Sequence, residues 1–137
     1  MKDPLLELPG YALRRAASAM MAEFSRRLEP LGLRYADVSA LLLIGANPTL
    51  TASQLGRMLD IQRANMVPLL GRLTDAGLIT RRPLDGKSHS LHLTEAGETR
   101  LAEARKVIEQ FETWLVAKVP PAHRDHLKPA LDALWRD

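Results

Sequence analysis

The chain has 137 residues and no cysteine, which removes disulfides, thiolate nucleophiles, cysteine-ligated zinc and any switch that works by oxidising a thiol. A reducing compartment suits such a chain. No Gly-rich phosphate loop and no Ser, His and Asp set in a recognisable motif occurs, so nothing points to an enzyme. His89, His92, His123 and His126 are the only histidines. His123 and His126 share an i, i+3 spacing but no carboxylate cluster joins them, so they read as solvated surface and no metal or other cofactor is expected. Apolar runs of membrane-spanning length are missing too, and the start MKDPLLELPG lacks the basic region and long apolar core of a secretory signal. These absences lead to the expectation of a cytoplasmic protein with no membrane partner.

What the chain does have is concentrated between Thr51 and Thr94. Thr51 and Gln54 have the spacing of a capping box, and Leu55, Met58 and Leu59 then recur at helical intervals. After a break at Asp60 and Ile61, Met66, Leu69, Leu70 and Leu73 mark the buried stripe of a second helix, which Gly77 is placed to end with Leu78 folding back. The period then changes. Leu78 to Arg82 and Ser88 to Thr94 read as strands joined at the turn signal Asp85-Gly86, with Leu91 and Leu93 facing the core and Ser90 and His92 facing out. Two helices meeting steeply, followed by a basic hairpin, predict a winged helix-turn-helix. The formal net charge is only +3. Between Ser53 and His92, however, Arg57, Arg63, Arg72, Arg81, Arg82 and Lys87 face only Asp60, Asp75 and Asp85, an excess that suits phosphate.

The flanks predict a helical frame. Leu13, Ala16, Ala17, Met20, Phe24 and Leu28 form one apolar stripe, closed near Pro30 and Gly32. Ala36 to Ala46 is a richly apolar helix that ends before Asn47-Pro48. Thr94 caps a long helix from Glu95 to about Lys118, with Leu101, Ile108, Phe111 and Leu115 as its stripe and Glu95 and Glu98 at the positive end of its dipole. Pro120-Pro121 breaks it, and His123 to Trp135 forms a last amphipathic helix carrying Leu127, Leu131 and Leu134, bent at Pro129. The fold class is therefore mainly α with a small β-hairpin wing, in one domain spanning 1–137. A chain of this size gains from the extra burial that dimerisation supplies.

The strings LGLRYADVSALLLIGANPTLTASQLGRML, RLTDAGLITRR and DGKSHSLHLTEAG, in that order, resemble the MarR family of winged-helix transcription regulators over nearly the whole chain. The resemblance implies a reader at about 36–94 and a homodimer built by helices at about 8–31 and 95–136. It also implies a repressor released from DNA by a small aromatic or lipophilic anion, and a pseudo-palindromic double-stranded operator with half-sites about one helical turn apart. Two positions depart from the family pattern. Lys87 stands where the wing usually carries arginine, and a lysine meets phosphate as a point charge without the planar fork. Pro68 replaces a residue that is commonly polar or basic; counted from Asp60 or Gln62 as the cap it lies too deep for the first turn, which predicts a bent or tightened helix.

The candidate DNA contacts follow from the outward face of that helix. That face carries Ala64, Asn65, Pro68, Gly71 and Arg72, with Arg63 and Val67 on its flanks and Gln62 before it, and Ala64, Pro68 and Gly71 are small enough for close approach. Ala64 and Val67 suit thymine methyls and Asn65 suits adenine, giving an A·T-leaning core site. Ser53 and Gln54 touch backbone phosphate or simply cap their helix; Arg81, Arg82 and Lys87 bring charge from the wing. For the effector, Tyr11, Arg14, Arg15 and Ser39 are the candidates, an arginine holding a carboxylate while a hydroxyl donates beside it. The competing reading of Arg14 and Arg15 is ordinary surface charge on an amphipathic helix. For the whole chain, the alternative to a DNA reader is a winged-helix protein-interaction module, marked by an apolar patch in place of a continuous positive face.

Overall fold

The computed structural model describes residues 1–137. Six helices and one hairpin follow in order: α1 (Pro9–Leu28), α2 (Tyr35–Ala46), α3 (Ala52–Met58), α4 (Arg63–Asp75), β1 (Ile79–Asp85), β2 (Ser88–Leu93), α5 (Glu95–Lys118) and α6 (Arg124–Asp132), with short 3-10 turns before α1, α2 and α6. No helix is long and apolar enough to cross a membrane.

The core forms around α2. Val38, Ala40, Leu41 and Ile44 are buried, while Leu42 and Leu43 pack partly against the same cluster. A helix apolar on most sides must be surrounded, and α2 touches α1, α3, α4, α5 and β2. Phe24 and Leu28 of α1, Leu55 of α3, Leu69, Leu70 and Leu73 of α4, Leu91 of β2 and Leu101 and Phe111 of α5 complete the core.

Local sequence sets the ends of the reader helices. The amide of Gln54 donates to Thr51 Oγ1 at 3.2 Å while the amide of Thr51 donates to Gln54 Oε1 at 2.9 Å, the reciprocal capping box of α3. α3 then closes with Asp60 in left-handed backbone at φ 53°, the Ile61 amide reaching back to the Gly56 carbonyl at 2.9 Å. α4 closes the same way around Gly77 at φ 73°, with Leu78 donating to Leu73 and Gly77 to Thr74. Thr94 accepts from the Gly97 amide and donates to the Gly77 carbonyl, so one hydroxyl joins the end of α4 to the start of α5.

The structure corrects the sequence expectations in four places. Ser90 is covered rather than exposed to solvent, only 3% exposed, because Leu50 and Thr51 pair alongside β2: Leu91 donates to the Leu50 carbonyl and Thr51 bridges Ser90. The hairpin turn is centred on Gly86-Lys87 rather than Asp85-Gly86, since Asp85 pairs with Ser88 after an irregularity beyond Pro83. Of the α1 stripe only Phe24 and Leu28 are buried; Leu13, Ala16 and Ala17 are exposed. The last helix is also shorter than the apolar pattern, stopping at Asp132 with Leu134 and Trp135 beyond it.

Candidate nucleic-acid interface

α4 presents two unlike faces. Met66, Leu69, Leu70 and Leu73 are buried, whereas Gln62, Arg63, Ala64, Asn65, Val67 and Pro68 are exposed, Val67 to 71%. Pro68 sits well inside the helix, which continues through it. With no amide at that position the carbonyl of Ala64 loses its i+4 donor on the exposed side of the helix. Between α3, α4 and β1 runs an open groove of about 920 Å³ whose lining includes Ser53, Arg57, Arg63, Val67 and Arg81. Asp60 and Asp75 also border it, so its positive character comes from where the arginines stand more than from their number.

Arg63, Arg81, Arg82 and Lys87 are exposed, and none belongs to an ion pair within the chain. Unpaired cations on a helix and hairpin that flank a groove are free to meet phosphate. The hairpin divides them. Arg81 is opposite Leu91 and lines the groove, whereas Arg82, one residue on and opposite Ser90, projects from the other face of the ribbon. Ser53 accepts from Arg57 Nη1 at 3.1 Å, and Gln54 is committed to the α3 cap.

Arg72 is placed differently from the other candidates. Its Nη2 donates to Asp37 Oδ1 at 2.9 Å, and its side chain is 38% exposed against 7% for Asp37. Sequence reasoning missed Asp37; the available signal was an acid at the third position of a helix that begins after Arg34.

The four effector candidates are divided between α1, which carries Tyr11, Arg14 and Arg15, and α2, which carries Ser39. Arg15 donates to Tyr11 Oη at 3.0 Å, with its guanidinium 5.8 Å from that ring. Arg14 is exposed beside them, while Ser39, on α2, donates to the Tyr35 carbonyl of its own helix at 3.0 Å. A second feature went unseen in the sequence. Tyr35, Phe24, Phe111 and Trp114 stack in a file across α2, α1 and α5, with successive ring centroids 5.8, 4.7 and 5.7 Å apart. Arg27 and Lys118 both lie over Trp114.

Comparison with known proteins adds to this geometry. Residues 31–88 match the MarR family. A putative transcriptional regulatory protein for the hcr operon of Thauera aromatica is 29% identical over 130 residues, covering 93% of this chain and 78% of that protein. Among solved structures, the transcriptional repressor CouR bound to a 23-mer DNA duplex is 36% identical, with a TM-score of 0.91 and 99% of each chain covered. The same repressor bound to p-coumaroyl-CoA is 33% identical, with a TM-score of 0.90 over 100% of this chain and 98% of that one. Rv2887 of Mycobacterium tuberculosis, in complex with salicylic acid, is 26% identical, with a TM-score of 0.73 over 93% of this chain and 96% of that one.

Proposed function

The chain belongs to the MarR family, and from that premise we propose that it is a homodimeric, DNA-binding transcriptional repressor released from its operator by an anionic ligand that carries an aryl group. The observation that carries the reading is the free cationic set of Arg63 and Arg81 along one groove beside the exposed face of α4, with Lys87 at the hairpin turn. Asn65 and Arg63 read base edges in the major groove, Ala64, Val67 and Pro68 allow close approach, and Gln62, Ser53 and Gln54 sit at helix starts where amides meet phosphate. Lys87 and Arg82 add sequence-independent attraction from the wing. The reading is that of a binding protein rather than a catalyst, acting in the cytoplasm.

An aromatic acyl thioester of coenzyme A is favoured over a free aryl acid as the effector. Its support is the likeness to CouR over the whole chain, against the weaker likeness to the salicylate-bound Rv2887. Arg14 and Arg15, with Tyr11 and Ser39, are the proposed anion contacts; Arg14 is free for that role, whereas Arg15 already rests on Tyr11. A ligand that binds the released arrangement better than the DNA-bound one weakens DNA binding by that difference.

The test is a binding series on the DNA flanking the protein's own gene against a shuffled duplex, over a range of salt, repeated with p-coumaroyl-CoA and with salicylate. Selective binding with a steep salt dependence, relieved by the thioester, supports the reading in full. Relief by salicylate alone replaces the thioester with a free acid. Indifference to sequence on this DNA and on duplexes selected from a random pool overturns it in favour of a protein-interaction module.

A further inference from the structure

Asp37 is the one buried carboxylate among the core residues, and its pair with Arg72 is the one ion pair that joins two helices. The other four are local, at i, i+3 or i, i+4 within α1 or along α6 and its end, and so tie no helix to another. Both oxygens of Asp37 are used: Oδ2 accepts from the Arg34 amide at 2.8 Å and Oδ1 from Arg72 Nη2 at 2.9 Å. Each charge also sits at a helix end that favours it, the carboxylate in the first turn of α2 and the guanidinium in the last turn of α4.

A half-buried pair of this kind is poor glue but a strict constraint, because any motion that parts it leaves the buried Asp37 carboxylate without its charged partner. α2 is the packing centre of the molecule, so the pair ties the roll of α4 to the most fixed element present. Asn65 precedes Arg72 by seven residues, about two helical turns, and so lies on nearly the same side of α4. The roll that Arg72 permits at the inner end of α4 therefore decides where Asn65 and its neighbours point at the outer end.

We propose that Asp37 is a positioning residue for sequence reading, acting through Arg72 to fix the roll of α4, and that Arg72 governs selectivity through this link rather than by touching DNA. This rests on the DNA-reading function above. The test starts with a duplex selected from a random pool by the wild-type protein; affinities for it and for a shuffled duplex are then compared for Asp37→Asn, Arg72→Met and the double variant, each confirmed folded by its melting curve. Asp37→Asn keeps an oxygen for the Arg34 amide but can turn an NH2 against the guanidinium. The double variant leaves no buried charge unpaired, which keeps the comparison available should Arg72→Met alone fail to fold.

The expected result is a fall of about tenfold in the preference for the selected duplex in every variant. Affinity for the shuffled duplex stays within about twofold, and the double variant is no worse than the singles because both act through one link. An unchanged preference in Asp37→Asn and the double variant overturns the proposal. So do additive losses, or equal losses on both duplexes, either of which makes Arg72 a direct DNA contact. If the wild-type protein selects no duplex at all, the DNA-reading function itself fails, a result distinguishable from the others.

Discussion

Asn65 and Lys87 are both exposed polar residues of the reader, yet opposite consequences are expected from removing them. An amide that pairs with one base edge discriminates, so Asn65→Ala should cost about 1–3 kcal/mol on the preferred duplex and little on shuffled DNA. Lys87 stands at the hairpin turn as a point charge; Lys87→Ala should weaken binding to every sequence and lower the salt slope by about 1. Titration against both duplexes at several salt concentrations checks the two together, and equal losses from Asn65→Ala would remove its base-reading role. Away from the reader, hydrogen bonds from Arg26 and Arg27 hold the carboxyl of Glu23 down to about 2 from its ordinary 4.5. A depressed carboxyl contributes stability that is present above its unfolded value and lost as pH falls through its folded value. Melting curves should therefore show wild type above Glu23→Gln at pH 6, with the gap closing between pH 4.5 and about 2.

At the scale of the elements, α3 and α4 end in the same closure, with Gly77 in the left-handed position of one and Asp60 in that of the other. Aspartate tolerates that backbone at a cost glycine does not bear. Asp60→Gly is expected to leave stability unchanged or raise it by up to about 1 kcal/mol, measured by urea unfolding, where alanine at the same place should lower it. Three of the helix ends were legible in the sequence because their causes lie within five residues, namely the Thr51 and Gln54 spacing, the Gly77-Leu78 pair and the Thr94 cap, whereas at Asp60 the sequence marked only a break. What the sequence did not disclose depends on distant segments. Ser90 alternates outward by count, but Leu50 and Thr51, some forty residues earlier, cover it. Arg72 belongs by periodicity beside the DNA contacts, and only the approach of α2 brings Asp37, thirty-five positions away, within its reach. The hairpin turn moved by one residue because the irregularity after Pro83 shifts the register of the strands. The groove shared by Ser53, Arg63 and Arg81 draws on three elements, so composition indicated its charge while its geometry had to come from the fold.

Across the whole molecule, exposed apolar side chains gather at the two ends of the chain, whereas those of the reader, Met58, Val67 and Leu84, stand singly on α3, α4 and the hairpin. Leu5, Leu6, Leu8 and Leu13 at one end and Leu131, Leu134 and Trp135 at the other are exposed, with Leu134 at 68% and Trp135 at 70%. α6 buries none of its residues in the single chain. A helix with an apolar side and no buried residue gains little by forming alone, so these ends read as the surface that a second copy covers. That surface decides how DNA is held, because joining two readers turns the second half-site contact into an intramolecular event. Leu134→Asp with Trp135→Asp should therefore convert the dimer to a monomer in sedimentation, since each places a charge in a desolvated contact, while leaving the core around α2 and the melting of the reader intact. Affinity for a two-half-site duplex should fall by about a hundredfold or more, and affinity for a single half-site should hold. A variant that stays dimeric would move the interface away from the chain ends, and one that turns monomeric without losing two-site affinity would mean that each reader binds on its own.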